Sequence, residues 1–453
     1  MEHPQLELGV AREDITPTNA GYLAGDVLNG EHAISAIHKP LYAQSLFLTD
    51  GSTRFLLTTI DVCKVSEAME NEVISSLSCQ LDLTPAQIMI AASHTHSAPQ
   101  TIDLDAVPGT FDQEFVALAI NGMITSAISA VKSTELVTLR YETGRSHVGV
   151  NKRLLTPWGV MMSANLSGSY DPEVGVLIAE RKPYTPAAIL CCYASHPVGH
   201  LRSEISSDLS GYFRDEIENT FTDCMAFHVL GCAGDVAPRA RWANTDYEIG
   251  NPHSGAGRRL LPEIQSKNFM SNIGKELASI ATSCVHRASS PLASISLHTI
   301  KRNIPLPLQQ PVSEDVLSSV LSLPFSYRHS GWAKRMLKKY ENREEFEQHQ
   351  SYSIQIWFIN SNFLIVGLEG EVFSDIGMRI KQSLLPTKSL VIGHANSYKG
   401  YIPTKTAIQE GGYEPESFYN CDLPAPYRPE IENILVDTII DEVRKQLYGL
   451  ETN

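Results

Sequence analysis

Short apolar runs that stop abruptly at polar loops constrain the fold of this chain more than any other feature. The run Ile88–Ala92 leads into Ser93-His-Thr-His-Ser-Ala-Pro99, and the run 187–194 leads into Ser195-His-Pro197. Further runs of this kind cover 55–60, 226–230, 363–367 and 390–392. They are short, rich in β-branched residues and bounded by turn residues, so they predict buried strands rather than helices.

Helical patterns lie between these runs. Apolar residues recur at helical spacing over 66–77, 112–131, 206–221 and 272–288, and a helical turn is expected at 84–87. Because strands and helices interleave to the end, the fold class is predicted as α/β. The composition has no clear break, so we expect a single domain over residues 1–453. The charged stretch 327–350 predicts a solvated helix, or part of a helical insertion at about 312–350.

The net charge and the N-terminal sequence limit the classes of partner that we expect for this chain. The chain has 36 Lys and Arg residues against 51 Asp and Glu residues, a net charge of −15. That balance argues against nucleic acid and anionic membrane surfaces, so we expect a small-molecule substrate. The N-terminus has no signal-peptide pattern and no apolar run is long enough to span a bilayer, which predicts a cytoplasmic protein without stable membrane insertion. The eight cysteines form no CxxC pair, which favours reduced, buried thiols. The sequence does not indicate an oligomeric state.

The ends of the predicted strands carry metal-binding residue types. They are His94, His96, His196, His200, Asp235, Glu369, Glu371, Tyr398 and Tyr401. Two imidazoles, a carboxylate and one more oxygen ligand make a zinc set that leaves room for water. Taken one at a time, each residue has a structural alternative: His-x-His could be a polar loop, His196 a buried structural histidine and Glu371 a surface carboxylate. Their joint occurrence at strand ends favours the metal site.

Several blocks of the chain resemble the catalytic domain of the neutral, non-lysosomal ceramidases, which are zinc-dependent amidases. The blocks are Gly9-Val-Ala-Arg-Glu-Asp-Ile-Thr-Pro17 with Gly21-Tyr22, Ile37-His38 with Tyr42-Ala-Gln-Ser-Leu-Phe-Leu-Thr49, Ser93-His-Thr-His-Ser-Ala-Pro99, Gly231-Cys-Ala-Gly-Asp-Val-Ala-Pro238, Gly370-Glu371 with Arg379, and Asn396-Ser-Tyr-Lys-Gly-Tyr-Ile-Pro-Thr404. They run in the family's order through nearly the whole chain, and the His-Thr-His and Gly-Asp-Val-x-Pro blocks are the most specific. The resemblance implies layered mixed β-sheets with flanking helices.

The resemblance also implies roles for individual residues. One zinc ion per chain would be held by four ligands: His94, His196, Glu371 and Tyr401. His96 would then face the substrate or support the ligands, and Tyr413 matches a family tyrosine near the scissile group. The family's catalytic arginine aligns with Lys152, while Arg153 could substitute from the next position.

Two departures from the family pattern bear on the substrate. The position of the serine proposed to act at the scissile amide is Ala237. We also expect the chain to lack the family's C-terminal sandwich domain and its secretion signal. Both departures argue against ceramide itself as the substrate.

The resulting hypothesis is a zinc-dependent hydrolase in which zinc-bound water attacks an amide or ester carbonyl of a small N-acyl substrate. Asp235 or His96 would take the proton, while Tyr413 with Lys152 or Arg153 would stabilise the oxyanion. Weaker candidates for the substrate pocket are His38, Asp61, His200 and Asp208. The loop 239–261 and the helix around 334–339 are expected to shape the pocket mouth.

Alternative functions remain open at this point. Ala237 also suits a non-catalytic homologue that keeps the metal and acts as a binding module. Another metal-dependent hydrolase, acting on a lactone, a sugar derivative or a phosphoester, is a further possibility. A second metal held by His200 and Asp208 is less favoured than a polar loop at those positions.

Overall fold

The computed structural model describes residues 6–18, 21–24, 34, 36–103, 111–198, 204–242, 263–287, 289–322 and 327–449. Its strands are β1 (Leu6–Asp14), β2 (Ala36–Ile37), β3 (Tyr42–Thr49), β4 (Arg54–Ile60), β5 (Ile88–Ala92), β6 (Thr134–Arg145), β7 (Gly149–Thr156), β8 (Gly159–Asn165), β9 (Glu173–Lys182), β10 (Thr185–Tyr193), β11 (Glu204–Ile205), β12 (Met225–Leu230), β13 (Val236–Pro238), β14 (His298–Pro307), β15 (His349–Asn360), β16 (Phe363–Leu368), β17 (Glu371–Val372), β18 (Lys388–Ile392) and β19 (Tyr401–Ile402).

The helices are α1 (Glu67–Leu81), α2 (Gln113–Lys132), α3 (Asp208–Thr220), α4 (Glu263–Val285), α5 (Glu314–Ser322), α6 (Tyr327–Asn342), α7 (Ser374–Leu384), α8 (Lys405–Glu410), α9 (Tyr413–Glu416) and α10 (Ile431–Tyr448). Short 3₁₀ helices cover Pro85–Gln87, Arg239–Trp242 and Ser417–Cys421. The turn predicted at 84–87 is therefore a capped 3₁₀ helix that leads directly into β5.

Two mixed sheets form the middle of the molecule. The larger has the strand order β12-β10-β9-β6-β1-β3-β4-β5, and the smaller has the order β14-β15-β16-β18. Their inner faces pack together: Phe55 stacks on Trp357 with ring centroids 4.8 Å apart, and Tyr141 stacks on Phe363 at 4.3 Å. Each sheet is thus buried on a face that the other covers.

Helices cover the two outer faces. Helices α1 and α2 pack on the β1–β3–β4 side of the large sheet, α3 and α4 pack on the β9–β10 side, and α7 and α10 cover the small sheet. By length and hydropathy alone α2 could span a membrane, but many of its residues are buried against the large sheet and a core helix passes the same test. The predicted architecture of layered mixed sheets with flanking helices is confirmed.

The two sheets are joined by backbone hydrogen bonds at the ends of three edge strands, β5, β12 and β18. The amide of Ala92 donates to the carbonyl of His394 (3.1 Å), and that of Asn396 donates to Ile90 (2.6 Å). The amide of Gly393 donates to Leu230 at 2.9 Å. These bonds bring the loops that follow β5, β12 and β18 to one place.

Some sequence predictions need adjustment. The charged stretch 327–350 is helical only to Asn342, as α6, and the chain enters β15 at His349. Helices α5 and α6 lie between β14 and β15, within the segment predicted as a helical insertion. All eight cysteines are unpaired and six are buried. Of the loop predicted at 239–261, residues 243–261 lie outside the described residues.

Candidate metal centre

His94 is held at the end of β5 in a conformation that fixes its imidazole. Its φ of +58° lies in the left-handed region, which is strained for a residue with a side chain. The Nδ1 atom lies 2.7 Å from the carbonyl oxygen of Cys63. A carbonyl can only accept, so Nδ1 carries the proton and Nε2 presents a lone pair.

His196 is fixed in the same way after β10. Its backbone amide donates to Val236 at 3.1 Å, and its Nδ1 lies 2.7 Å from the carbonyl of Ala233 and 3.0 Å from that of Val236. Nδ1 is again the protonated nitrogen, and the lone pair of Nε2 is directed at Glu371, whose Oε2 is 3.0 Å away. Backbone carbonyls that orient histidine in this manner are typical of metal ligands.

Glu371 begins β17, which pairs in parallel with β19 so that Glu371 lies opposite Tyr401. The preceding Gly370 has a φ of +72°, and a Cβ atom there would lie 2.3 Å from the carbonyl oxygen of Gly400. Only glycine therefore allows β17 to approach this close. The Glu371 Oε1 accepts a hydrogen bond of 2.9 Å from the Tyr398 hydroxyl, and Oε2 lies 3.7 Å from His94 Nε2.

The three side chains form an electrostatic conflict that a cation resolves. Burial and the neighbouring His394 lower the pKa of His94 well below its usual range, and burial and Lys152 lower that of His196. Although burial alone would raise the pKa of the Glu371 carboxyl, His94 and His196 hold it well below its usual range. The lowered pKa values of the two imidazoles favour the neutral forms that bind metals, and the donor atoms of the three side chains lie within 4.8 Å of one another. The set suits a divalent metal ion.

Tyr401 is buried beside this set. Burial and the nearby Glu371 carboxylate raise the pKa of its hydroxyl well above the usual range. The Lys152 ammonium donates to the hydroxyl at 3.3 Å and lies 4.9 Å from the ring centroid. The Tyr401 hydroxyl therefore lies beside the Lys152 ammonium and near the Glu371 carboxylate.

A family model for neutral/alkaline non-lysosomal ceramidase, N-terminal, matches residues 6–243 of the chain. The chain belongs to this ceramidase family. It is similar in structure to the neutral ceramidase from Pseudomonas aeruginosa, with a TM-score of 0.72 at 16% identity over 100% of this chain and 76% of the other. A ceramidase complexed with C2 matches with a TM-score of 0.73 at 16% identity, over 100% and 77% of the two chains. The fold is that of a ceramidase-family hydrolase, which is consistent with amide hydrolysis.

His96 and His394 complete the imidazole cluster of this ceramidase-family chain. His96 Nε2 lies 3.3 Å from His94 Nε2, and the two rings meet edge to face. His394 stacks on His94 with ring centroids 3.9 Å apart, and its buried Nε2 has no hydrogen-bond partner among the described residues. Sequence reasoning did not assign a role to His394, although it follows a predicted strand as His94 does.

Asp235 has no free carboxylate oxygen. Its Oδ1 accepts from the Ser374 amide at 2.7 Å, and its Oδ2 accepts from Asn151 at 3.0 Å and the Ser374 hydroxyl at 3.1 Å. Burial raises the pKa of Asp235 to about 6. The carboxylate therefore anchors the start of α7 to β7, next to the strand that carries Glu371.

Lys152 and Arg153 lie where the pairing of β7 with β8 is irregular, and both contact the buried Glu414 carboxylate, with Lys152 Nζ 3.6 Å from its Oε1. Lys152 reaches Tyr401, and its charge is among the causes of the lowered pKa of His196. Arg153 is paired with Glu414 and donates to the carbonyl of Gly411 at 2.8 Å. The structure thus places Lys152 at the metal centre and Arg153 in a buried ion pair beside it.

Tyr413 and Ala237 lie close to the same centre. Tyr413 is 41% exposed, and its ring lies 5.8 Å from that of Tyr401. Ala237 is buried on β13 opposite Val150 of β7, so no hydroxyl is available at the position that matches the family serine.

The four weaker pocket candidates are placed as follows. His38 Nε2 lies 2.8 Å from the Tyr212 hydroxyl. The buried Asp61 forms an ion pair of 2.7 Å with Arg214 and accepts from a backbone amide, which is a structural arrangement. Asp208 is buried with a φ of +50° at the start of α3. His200 lies outside the described residues.

A second possible metal group, made of Cys63, His94 and His96, is less suitable. Burial raises the pKa of the Cys63 thiol to about 12, so the thiolate that a metal requires is disfavoured. The Nδ1 proton of His94 is also already donated to the Cys63 carbonyl. We therefore assign the centre to His94, His196 and Glu371.

Proposed function

We propose that the chain is a zinc-dependent hydrolase that cleaves an amide, or an ester, bond of a small N-acyl substrate. The observation that carries the proposal is the convergence of two neutral Nε2 atoms, from His94 and His196, on the ionised carboxylate of Glu371. Membership of the ceramidase family supports amide chemistry. The proposal is of one zinc per chain, and the substrate is a compound other than ceramide.

Zinc suits the donor set because it prefers imidazole nitrogen and carboxylate oxygen as ligands, and because it can take a fifth ligand, so that four protein ligands leave a position for water. His94, His196 and Glu371 would hold the ion, with Tyr401 as the fourth protein ligand. When bound, zinc lowers the pKa of a coordinated water toward about 7 and polarises a carbonyl oxygen. A serine at position 237 is then not required for hydrolysis.

Side chains around the three ligands carry out proton transfer and stabilise the developing negative charge. We assign proton transfer to His96, since it lies next to His94 and is only half-buried. Asp235 acts as a positioning residue because both of its oxygens accept hydrogen bonds from the protein. The charge of Lys152 stabilises negative charge that develops on the substrate oxygen, and Tyr413 can contribute its hydroxyl from the exposed side.

The test compares metal content and hydrolysis in chelated and zinc-reconstituted protein on a panel of N-acyl amines, esters and a short-chain ceramide. We expect activity on an N-acyl compound that is lost on chelation and restored by zinc. His196→Ala should lose both zinc and turnover. The matched control is His147→Ala, which removes an exposed imidazole that contacts Tyr170.

Other results would contradict the proposal in different ways. Full zinc content in His94→Ala, His196→Ala and Glu371→Ala would show that the metal assignment is wrong. A zinc-loaded protein that hydrolyses no member of the panel would favour a binding module instead. Turnover of the short-chain ceramide alone would contradict the substrate part of the proposal.

A further inference from the structure

The ammonium group of Lys64 lies beside the metal centre. Lys64 belongs to the loop after β4 and is half-buried, and its Nζ atom lies 4.2 Å from the ring centroid of Tyr398. The hydroxyl of that tyrosine donates to Oε1 of Glu371 at 2.9 Å. A positive charge is therefore held one side chain away from a proposed metal ligand.

Three hydrogen bonds fix the backbone that carries this lysine. The carbonyl oxygen of Cys63 lies 2.7 Å from Nδ1 of His94. The lysine's own carbonyl accepts from the Thr101 hydroxyl at 2.6 Å, and the next carbonyl, that of Val65, accepts from the amide of Tyr398 at 2.8 Å. Because these partners belong to the loops that form the metal centre, the lysine is placed by the same contacts as the ligands.

The positive charge of Lys64 is not neutralised by a neighbouring acid. Among the residues that the structure describes, Lys64 forms no ion pair. Glu67, which follows it closely in the sequence, is paired with Lys399 at 3.0 Å. By contrast, Lys152 lies 3.6 Å from a carboxylate oxygen of Glu414. Lys64 is thus the lysine at this centre whose charge is available to a ligand.

The charge of Lys64 acts inside the metal centre as well as at its edge. Burial lowers the pKa of His394, which stacks on His94, to about 3, and Lys64 is among the charges that add to that shift. An accessible ammonium at a fixed position attracts a ligand that carries an anionic group. One point charge suits a carboxylate, whereas phosphate groups are commonly held by arginine forks or helix N-termini.

We propose that Lys64 binds a carboxylate of the substrate, and that the substrate is an N-acyl amino acid. The inference rests on the proposed function of the metal centre and names its substrate class. In such a compound the carboxyl carbon lies two bonds from the amide nitrogen, so the metal and the ammonium would bind neighbouring groups of one molecule. Hydrolysis adds water across the C–N bond: its oxygen leaves on the acyl group as a carboxylate, and the amine of the released amino acid takes up both protons.

Lys64→Met is the sharpest variant, because it removes the charge and keeps an unbranched side chain against the Tyr398 ring. The probes are the N-acetyl derivatives of leucine, methionine and phenylalanine, each paired with its neutral amide. They are titrated calorimetrically into the chelated full chain, because zinc would bind a carboxylate directly and the loaded enzyme would consume the ligand. We expect the acids to bind the wild type about tenfold more tightly than their amides, as a hydrogen bond to a charged group implies. In Lys64→Met the acids and the amides should bind equally.

Two control variants complete the design. Lys64→Arg keeps the charge and should keep the preference for the acids. Lys339→Met removes a lysine that also lies over an aromatic ring, that of Phe346 at 5.9 Å, but is paired with Glu347, and it should bind as the wild type does. In the zinc-loaded protein, Lys64→Met should raise KM for the acids about tenfold with kcat and zinc content unchanged.

The outcomes separate this inference from the proposed function. Acids that bind the wild type no better than their amides, or a preference that survives in Lys64→Met, would overturn the inference even if the protein hydrolyses a neutral N-acyl amine. A preference that is lost in Lys64→Met, in a protein that holds zinc but hydrolyses nothing, would support the assignment of Lys64 and refute the hydrolase. Absence of binding by every acid of the panel would also overturn the inference.

Discussion

Replacing Glu371 by glutamine should have opposite effects on the metal-free and the zinc-loaded protein. In the metal-free wild type, the Oε2 atom faces the lone pair of His196 Nε2 at 3.0 Å and that of His94 Nε2 at 3.7 Å. A glutamine can keep its Oε1 as acceptor for the Tyr398 hydroxyl while its amide nitrogen takes the place of Oε2. The conflict between acceptors then becomes a hydrogen bond.

The structure sets the size of both effects. A new neutral hydrogen bond is worth about 1 kcal/mol, and relief of a buried unsatisfied acceptor adds about 1–3 kcal/mol. With an unfolding entropy of about 2.1 cal/mol/K per residue, each kcal/mol shifts Tm by roughly 1 °C in a chain of 453 residues. The metal-free variant should therefore melt about 2–4 °C above wild type. Zinc at 100 times its Kd should add about 2.7 kcal/mol to wild type and almost nothing to the variant.

Differential scanning calorimetry with chelator and with zinc measures both effects. The matched control is Glu369→Gln, which neutralises a buried carboxyl two residues away that accepts from the Ser353 amide and the Ser397 hydroxyl. Its zinc-dependent shift should equal that of wild type. A Glu371→Gln protein that is less stable than wild type under chelation, yet keeps the full zinc shift, would refute the reasoning.

Three further variants test other parts of the structure. Gly370→Ala should lose zinc and lower the free energy of unfolding by about 1–3 kcal/mol, because its Cβ would collide with the carbonyl of Gly400. Zinc content and chemical denaturation measure the two effects, and retained zinc would contradict the prediction. Asp61→Asn should lower the free energy of unfolding by about 3–5 kcal/mol, because Arg214 would be buried without its charged partner, and it should leave KM unchanged. A raised KM in a stable protein would instead make Asp61 a substrate ligand. Lys152→Met should lower kcat at full zinc content, whereas unchanged turnover would remove Lys152 from the mechanism.

Much of the fold could be predicted because buried strands have a strong local signal. The run Ile88–Ala92 is β5 itself, and the predicted runs 55–60 and 226–230 each differ from an observed strand by one residue. The long strands β6, β9 and β15 were not predicted from the pattern. The pairing of the two sheets through the Ala92 amide and the His394 carbonyl depends on tertiary contacts that a local pattern does not contain.

The candidate site, like the fold, could be predicted only in part from the sequence. The strand ends and the family resemblance both pointed to His94, His196 and Glu371, which the structure brings within ligand distance of one another. The choice between Lys152 and Arg153 could not be made from adjacent positions, because it depends on tertiary contacts: Lys152 reaches the Tyr401 hydroxyl, whereas Arg153 donates to the carbonyl of Gly411. Asp235 is another such case: its sequence context suits a general base, but Ser374 and Asn151 occupy its oxygens.

The central claim is that His94, His196 and Glu371 hold one zinc ion. The most direct measurement is anomalous diffraction at the zinc absorption edge from crystals of the zinc-reconstituted protein. The account predicts a single strong peak within about 2.0–2.2 Å of both Nε2 atoms and a Glu371 oxygen. A peak at another place in the chain, or no peak in crystals of protein that holds zinc in solution, would contradict it.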